Sequence, residues 1–386
     1  VTARTATRPA GSPVLDVDAL IDDPATRTIV CCGSGGVGKT TTAAALGLRA
    51  AERGRSVVVL TIDPARRLAQ SLGLGALDNT PARVPGTRGD GDLFAMMLDM
   101  KRTFDEVVEA HADPERAATI LANPFYQSMS SSFAGTQEYM AMEKLGQLRA
   151  AADRDGTWDL IVVDTPPARS ALDFLDAPAR LGSFLDGRFI RVLAAPAKVG
   201  GRAYLRVVSM GVGAVGSVLT RILGAGFLAD LQTFVAALDT TFGGFRARAE
   251  QTYALLQAPG TAFLVVAAPE PDALREAAYF TERLHDDQMP LAGLVVSRLL
   301  DTPAPQLGAE EATAAAARVS AAGTSPLTAR LLTLHADRMR AIAAQERVLA
   351  RYTAAFPQVP LARARAQAGD VHDLEGLRAV GASLAG

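Results

Sequence analysis

Cysteine is almost missing from this chain. It has two, adjacent at Cys31 and Cys32, and neighbouring strand residues point to opposite faces, so the pair staples nothing and reads as two small buried core residues. A disulfide-built fold is thereby excluded. Charge of one sign is scarce too: the net charge is -2, 21% of residues are charged, and no long run of like charges forms a tail. Nothing in that balance draws the chain to a polyanion, and no nucleic-acid partner is expected. Long apolar runs are also wanting. Val207 to Thr220 is uncharged and rich in glycine and valine, but a membrane span needs roughly 20 such residues. Val1 to Pro13 carries arginines with no apolar segment behind them, which reads as a disordered lead rather than a secretory signal and points to a reducing cytoplasm. No repeat of fixed period is visible. What remains is a chain of 386 residues, long enough for about two or three structural units around a large core.

One stretch of it is rich in meaning. Gly33-Ser34-Gly35-Gly36-Val37-Gly38-Lys39-Thr40-Thr41 sits between the apolar run Thr28 to Cys32 and a helix-like run from Thr42 to Arg53. Residues 33–40 fit the full G-x-x-x-x-G-K-[ST] pattern in the strand-to-helix setting that gives it force. Backbone N–H groups of such a loop converge on an anion, and the helix that follows adds the partial positive charge of its N-terminus. Gly36 and Gly38 are free to take the positive φ that the wrap needs. Lys39 is expected to reach the β- and γ-phosphates of a nucleotide and Thr40 to ligate Mg²⁺ through its hydroxyl. Gly35, Gly36, Val37, Gly38 and Thr41 complete the expected phosphate cradle.

The rest of the chain supplies carboxylates to the same place. Ser56 to Thr61 is nearly all apolar and β-branched, as in a parallel strand covered on both faces, and it delivers Asp63 at its carboxyl end. Trp158 to Val163 is a second such run and ends in Asp164-Thr165-Pro166-Pro167. Parallel sheets bind ligands at those ends. Leu93 to Leu98, Thr261 to Ala267 and Leu291 to Ser297 add candidate strands, and Val359 to Leu361 a last one. Met100 to Ala151 reads as helical with breaks at Asp113-Pro114 and Asn123-Pro124, and Ala177 to Gln257 as several helices. The expected fold is α/β: a mostly parallel twisted sheet flanked by helices, with a helical subdomain from two insertions. The expected boundaries are a lead over 1–15, a nucleotide-binding core over 16–98, 152–176 and 259–386, a helical insertion over 99–151 and a helical subdomain over 177–258.

Three features in order, the glycine loop, Thr61-Ile62-Asp63-Pro64-Ala65 and Val163-Asp164-Thr165-Pro166-Pro167, make the chain resemble the arsenite-pump and tail-anchored-protein-targeting ATPases, P-loop NTPases of the deviant Walker A class. The similarity runs from about Thr28 to the C-terminus and includes Gly135-Thr136-Gln137-Glu138 and Ala268-Pro269-Glu270. It implies an ATPase that uses ATP and Mg²⁺ at the interface of a dimer, with a helical subdomain that changes shape with nucleotide state. By position, Asp63 matches the switch I carboxylate that orients or deprotonates the attacking water, so that Asp63 and Lys39 are the expected catalytic residues. Asp164 matches the switch II carboxylate that holds Mg²⁺, commonly through a water. Phosphoryl transfer needs little more than a positioned water and charge stabilisation at the γ-phosphate.

The chain departs from the family pattern at several places. Ser34 stands where the family loop usually carries a lysine that reaches the other subunit's phosphates. Ser297 stands where an asparagine usually reads adenine, so base recognition is expected to be weaker or to pass to the backbone near Pro360. Pro167-Ala168-Arg169-Ser170 replaces the threonine, glycine and histidine of targeting members, and the cysteines that bind zinc or arsenite in some members are missing. Between Asp186 and Asp230 there is no acidic residue, while Arg188, Arg191, Lys198, Arg202, Arg206 and Arg221 are all basic. With the methionines Met96, Met97, Met100, Met129, Met140 and Met142 of the other insertion and its entry strand, this suggests a groove for a hydrophobic protein or membrane-protein client, or a peripheral membrane contact. The leading expectation is a cytoplasmic ATP hydrolase whose dimer opens and closes that groove. The alternatives are a slow nucleotide-binding subunit paired with a lysine-bearing paralogue, and a partition or division-site positioning ATPase.

Overall fold

A computed structural model describes residues 12–63, 67–123, 126–127, 136–166 and 247–386, with side chains from 139 onward in the helix that opens at Thr136. Pro64-Ala65-Arg66, Met129, Gly135, the Pro167 to Ser170 stretch and Val207, Val212 and Val215 lie outside the described residues, as does most of the region 177–258. The chain divides into two compact units. One takes Val1–Met97, Gly156–Ala171 and Gln257–Gly386, the other Leu98–Asp155 and Leu172–Leu256.

The first unit is built on eight strands: β1 Thr28–Cys32, β2 Ser56–Thr61, β3 Ala82–Arg83, β4 Asp92–Met97, β5 Leu160–Asp164, β6 Thr261–Ala267, β7 Leu291–Leu299 and β8 Leu361–Arg365. They lie side by side in the order β3-β4-β2-β5-β1-β6-β7-β8. Every pairing is parallel except that of β3 with β4. Mostly apolar residues make β1, β2, β5 and β6 almost wholly buried, as strands covered on both faces must be. The stretch 78–92 reads as loop from its proline, glycine and charge, yet two of its residues add the antiparallel edge strand β3.

Strand order reverses at β1. The chain passes from β1 to β2 on one side and from β6 to β7 on the other, and right-handed crossovers in opposite directions place their helices on opposite faces. The helix after β1, α2 Lys39–Glu52, packs with the core that includes Ile29, Cys31, Val57 and Val59. Its alanines and Gly47 let it lie close to the sheet, since a Cβ on Gly47 would come within 2.5 Å of a Val59 methyl. Around it sit α1 Val17–Asp22, α3 Arg67–Ser71 and a C-terminal helix Leu374–Ala385. The helix Pro271–Asp286 follows β6, and a helical pair, Ala309–Ala322 and Pro326–Ala355, separates β7 from β8. Cys31 and Cys32 are both fully buried free thiols.

Two features were not read from the sequence. Residues 13–15, assigned above to a disordered lead, instead join β8: Leu361 N–H donates to Pro13 O at 2.8 Å, Leu15 N–H donates to Leu361 O at 3.1 Å, and the Leu15 side chain is buried. One apolar side chain in a polar stretch gains enough by burial to order its neighbours, and composition averages it away. Arg55, the residue before β2, is also buried. Its guanidinium donates to Asp159 Oδ1 at 2.7 Å, to Ile21 O and Thr26 O at 2.9 Å, and to Asp159 O at 2.7 Å. It stitches the end of α1, the approach to β1 and the approach to β5 into one corner.

The second unit is helical throughout its described residues. Asp99 and Asp113 cap the helices Met100–His111 and Pro114–Leu121 by accepting from Arg102 N–H and Arg116 N–H, so the expected break at Asp113-Pro114 is a capped helix start. The helix Thr136–Asp155 and a helical stretch over 247–256 also belong to it. Met140 and Met142 are fully buried and therefore belong to the core of this unit, not to an adaptable surface. The described residues of this unit form an open cleft of about 540 Å³ whose rim includes Glu106, His111, Glu143, Arg149, Asp153 and Arg248.

Candidate nucleotide-binding site

The glycine loop leaves β1 at the point of reversal, at the carboxyl ends of the strands. It starts under constraint. A Cβ on Gly33 would stand 2.1 Å from Val266 O of β6, so no side chain fits there. Gly36 and Gly38 have φ of +74° and +91°, the conformation that turns successive N–H groups toward one centre. Gly38 is also the N-cap of α2. The helix therefore begins at Lys39, three residues before the apolar run suggested, and its first turn joins the cradle. Gly35 and Gly36 are exposed, Thr40 and Thr41 half-buried.

Lys39 is buried, and its Nζ donates to Ser34 O at 2.7 Å. Burial pulls its pKa below the usual lysine value, while Asp164 and Asp63 act in the opposite sense. Asp164 is fully buried at the end of β5, in register with Thr61 of β2. Its Oδ2 accepts from the Thr61 hydroxyl at 2.9 Å, and the Thr40 hydroxyl also favours its ionised form. Oδ1 has no hydrogen-bond partner among the described residues. Burial pushes the Asp164 pKa up to about 6 against the opposing pull of Thr40, Thr61 and Lys39, with Asp63 adding to the rise. Thr165 fixes the chain beyond Asp164 through its hydroxyl to Cys31 O at 2.9 Å. Asp63 follows β2, half-buried, close enough to be felt electrostatically by both Lys39 and Asp164.

The sequence-expected set thus separates. Gly35 to Thr41, Asp63 and Asp164 gather at the ends of β1, β2 and β5. Ser297 reaches the same end of the sheet on β7, but its hydroxyl donates to Val37 O at 2.6 Å and is spent on the loop. Pro360 does not join them: it precedes β8 at its amino end, and its carbonyl accepts from Leu294 N–H at 2.8 Å. The reassignment of adenine recognition to Pro360 therefore fails on position. Thr61, which holds Asp164, opens the switch I run and carried no role in the sequence reading; its register with Asp164 is the signal that gives it one.

A buried carboxylate oxygen with no partner among the described residues, beside a threonine hydroxyl and a lysine at the mouth of a glycine loop, suits a hydrated divalent cation and a nucleotide's phosphates. Fold and site together define an α/β nucleotide-binding protein of the phosphate-loop class. The family model described as anion-transporting ATPase matches residues 26–314, and the chain belongs to that family as one of its ATPases. It is 26% identical over 301 residues to the ATPase GET3 of Podospora anserina, an alignment covering 77% of this chain and 80% of that protein. It is 29% identical over 162 residues to the ATPase GET3 of Malassezia globosa, covering 42% of this chain and only 45% of the relative. A putative arsenical pump-driving ATPase of Halobacterium salinarum is 27% identical over 201 residues, 48% of this chain and 29% of that protein.

Proposed function

We propose that this chain hydrolyses ATP with Mg²⁺, and that it works in the cytoplasm as a dimer whose rearrangement controls a hydrophobic site in the helical unit. The observation that carries the reading is the meeting of Lys39, Thr40, Asp63 and Asp164 around the open end of the glycine loop, with Asp164 Oδ1 left for a ligand outside the chain. Mg²⁺, when bound, would neutralise charge on the β- and γ-phosphates. The loop N–H groups and the first turn of α2 hold the phosphates. Lys39 exchanges the Ser34 carbonyl for a γ-phosphate oxygen. Thr40 would ligate the cation directly, and Asp164 would act through a coordinated water. Asp63, half-buried just beyond the end of β2, orients the attacking water and accepts its proton. Purified protein should release phosphate only with Mg²⁺, and Lys39→Ala should abolish release; unchanged turnover in that variant would overturn the site assignment.

The client site is proposed from the basic, acid-free stretch 187–229 and from kinship with the GET3 ATPases. Recovery of hydrophobic or membrane proteins with the chain from its native cell, lost on replacing Val207, Val212 and Val215 with aspartate while basal hydrolysis persists, is the result expected. Ser34 favours a second reading of the dimer. A buried serine in the loop brings no charge to an opposing subunit, so a lysine-bearing paralogue would complete this chain's site while receiving no cation in return. Ser34→Lys should then raise the turnover of the isolated chain; robust wild-type turnover that the change leaves unaltered would favour a self-sufficient homodimer.

A further inference from the structure

Ser297 lies on the strand edge that faces the glycine loop, in a local conformation that regular β-structure does not produce. Val296 pairs with Arg363 and Leu299 with Arg365, so β7 carries one more residue than β8 across this interval. The extra residue is a bulge, and its neighbour Arg298 has a φ of +55°, uncommon for a residue with a side chain. Bulges re-aim side chains. Here the re-aimed group is the Ser297 hydroxyl, which is buried and stands 2.6 Å from Val37 O and 3.3 Å from Ala267 O. With a single proton to give, it donates to the nearer carbonyl, that of the phosphate loop. Its Cβ and Oγ also lie 3.8 Å from where a Cβ on Gly38 would be, so it fills the space behind the loop.

A loop that offers N–H groups to an anion must turn carbonyls the other way, and a carbonyl so turned into protein needs a donor. The peptide between Val37 and Gly38 is planar and trans, so fixing Val37 O on one side fixes Gly38 N–H on the other. We infer that Ser297 is a positioning residue for the phosphate loop: by holding Val37 O it keeps the 37–38 peptide oriented with its N–H toward the nucleotide phosphates. The consequence for specificity is that this strand end recognises triphosphate through the loop and leaves the base unread by the side chain. This inference rests on the nucleotide-binding reading above.

The test compares wild type with Ser297→Ala, Ser297→Cys and Ser297→Thr for binding of Mg·ATP, Mg·GTP and inorganic tripolyphosphate, which has no base. Thermal unfolding without ligand identifies any variant that does not fold. Loss of the donor should weaken all three ligands by the same factor, roughly tenfold for a buried carbonyl left unpaired, and Ser297→Thr should restore them. Ser297→Cys, nearly the same size with a poor donor, should behave as Ser297→Ala and replaces it if alanine does not fold. Weakened ATP with unchanged tripolyphosphate would overturn the inference and make Ser297 a base reader, and unchanged binding of all three would overturn it outright. Wild type that binds none of the ligands would instead overturn the nucleotide-binding reading itself.

Discussion

Replacing Asp164 with asparagine should make the ligand-free protein more stable while removing its chemistry. Asp164 is wholly buried and its pKa rises from 3.8 to about 6. A carboxyl with a raised pKa binds its proton more tightly in the folded chain than in the unfolded one. Below pH 3.8 both forms hold the proton and nothing is lost. Between that pH and about 6 the unfolded chain ionises first, so folding stability falls as pH rises, and above about 6 the full loss persists. Each tenfold tightening of proton binding is worth about 1.36 kcal/mol, so a rise of this size sets a ceiling of about 3 kcal/mol. Lys39 reduces the gain, because its buried ammonium loses a favourable neighbour when the carboxylate goes. A net stabilisation of about 1–2 kcal/mol at pH 7.5 is therefore expected. Urea unfolding of both proteins in chelator, without nucleotide, at pH 7.5 and near pH 4 reads the effect. The difference should be present at the higher pH and shrink toward zero at the lower. An asparagine variant less stable than wild type at pH 7.5 would refute the reasoning, since it would make the ionised carboxylate a net structural asset.

Asp63→Asn should leave ATP binding nearly intact and lower steady-state hydrolysis by roughly a hundredfold or more, since an amide accepts no proton; equilibrium binding measured beside turnover checks it, and lost binding would make Asp63 structural. Arg55→Leu should destabilise the first unit by about 3 kcal/mol, because the carbonyls of Ile21 and Thr26 lose their buried donor. Urea unfolding measures it, and a loss below about 0.5 kcal/mol would reduce that corner to a surface contact. Gly47→Leu should cost about 3 kcal/mol or more, and combining it with Val59→Ala should recover part of the loss, because the new side chain and the Val59 methyl claim one space.

The strands that line the site were legible because each is a short unbroken apolar run, and period and length suffice for a strand buried on both faces. The glycine loop was legible for a different reason: its residues act through backbone geometry, and glycine announces that geometry locally. Asp63 and Asp164 followed from the ends of those strands. Pro360 was misplaced because β8 begins after it, at Leu361, and a strand read from three residues gives no measure of where its carboxyl end falls. The first residues of the fold were missed because Leu15 finds its partner at Leu361, far along the chain.

Arg55 and Ser297 show a more general limit. Both are polar residues beside or within apolar strands, and both direct their hydrogen bonds to backbone carbonyls of segments remote in sequence, Ser297 to one 260 positions away. A carbonyl has no letter in the sequence, so a pairing of this kind leaves no complementary residue type to look for. Its trace lies in the surrounding backbone: the bulge and the positive φ at Arg298 are costs that regular pairing of β7 with β8 would avoid. Such a cost persists where another contact offsets it, and the nearest contact that the bulge makes possible is the hydroxyl on Val37. The phosphate loop is thus shaped from two directions, from within by glycines that permit its turn and from behind by a serine that determines which way one of its peptides faces.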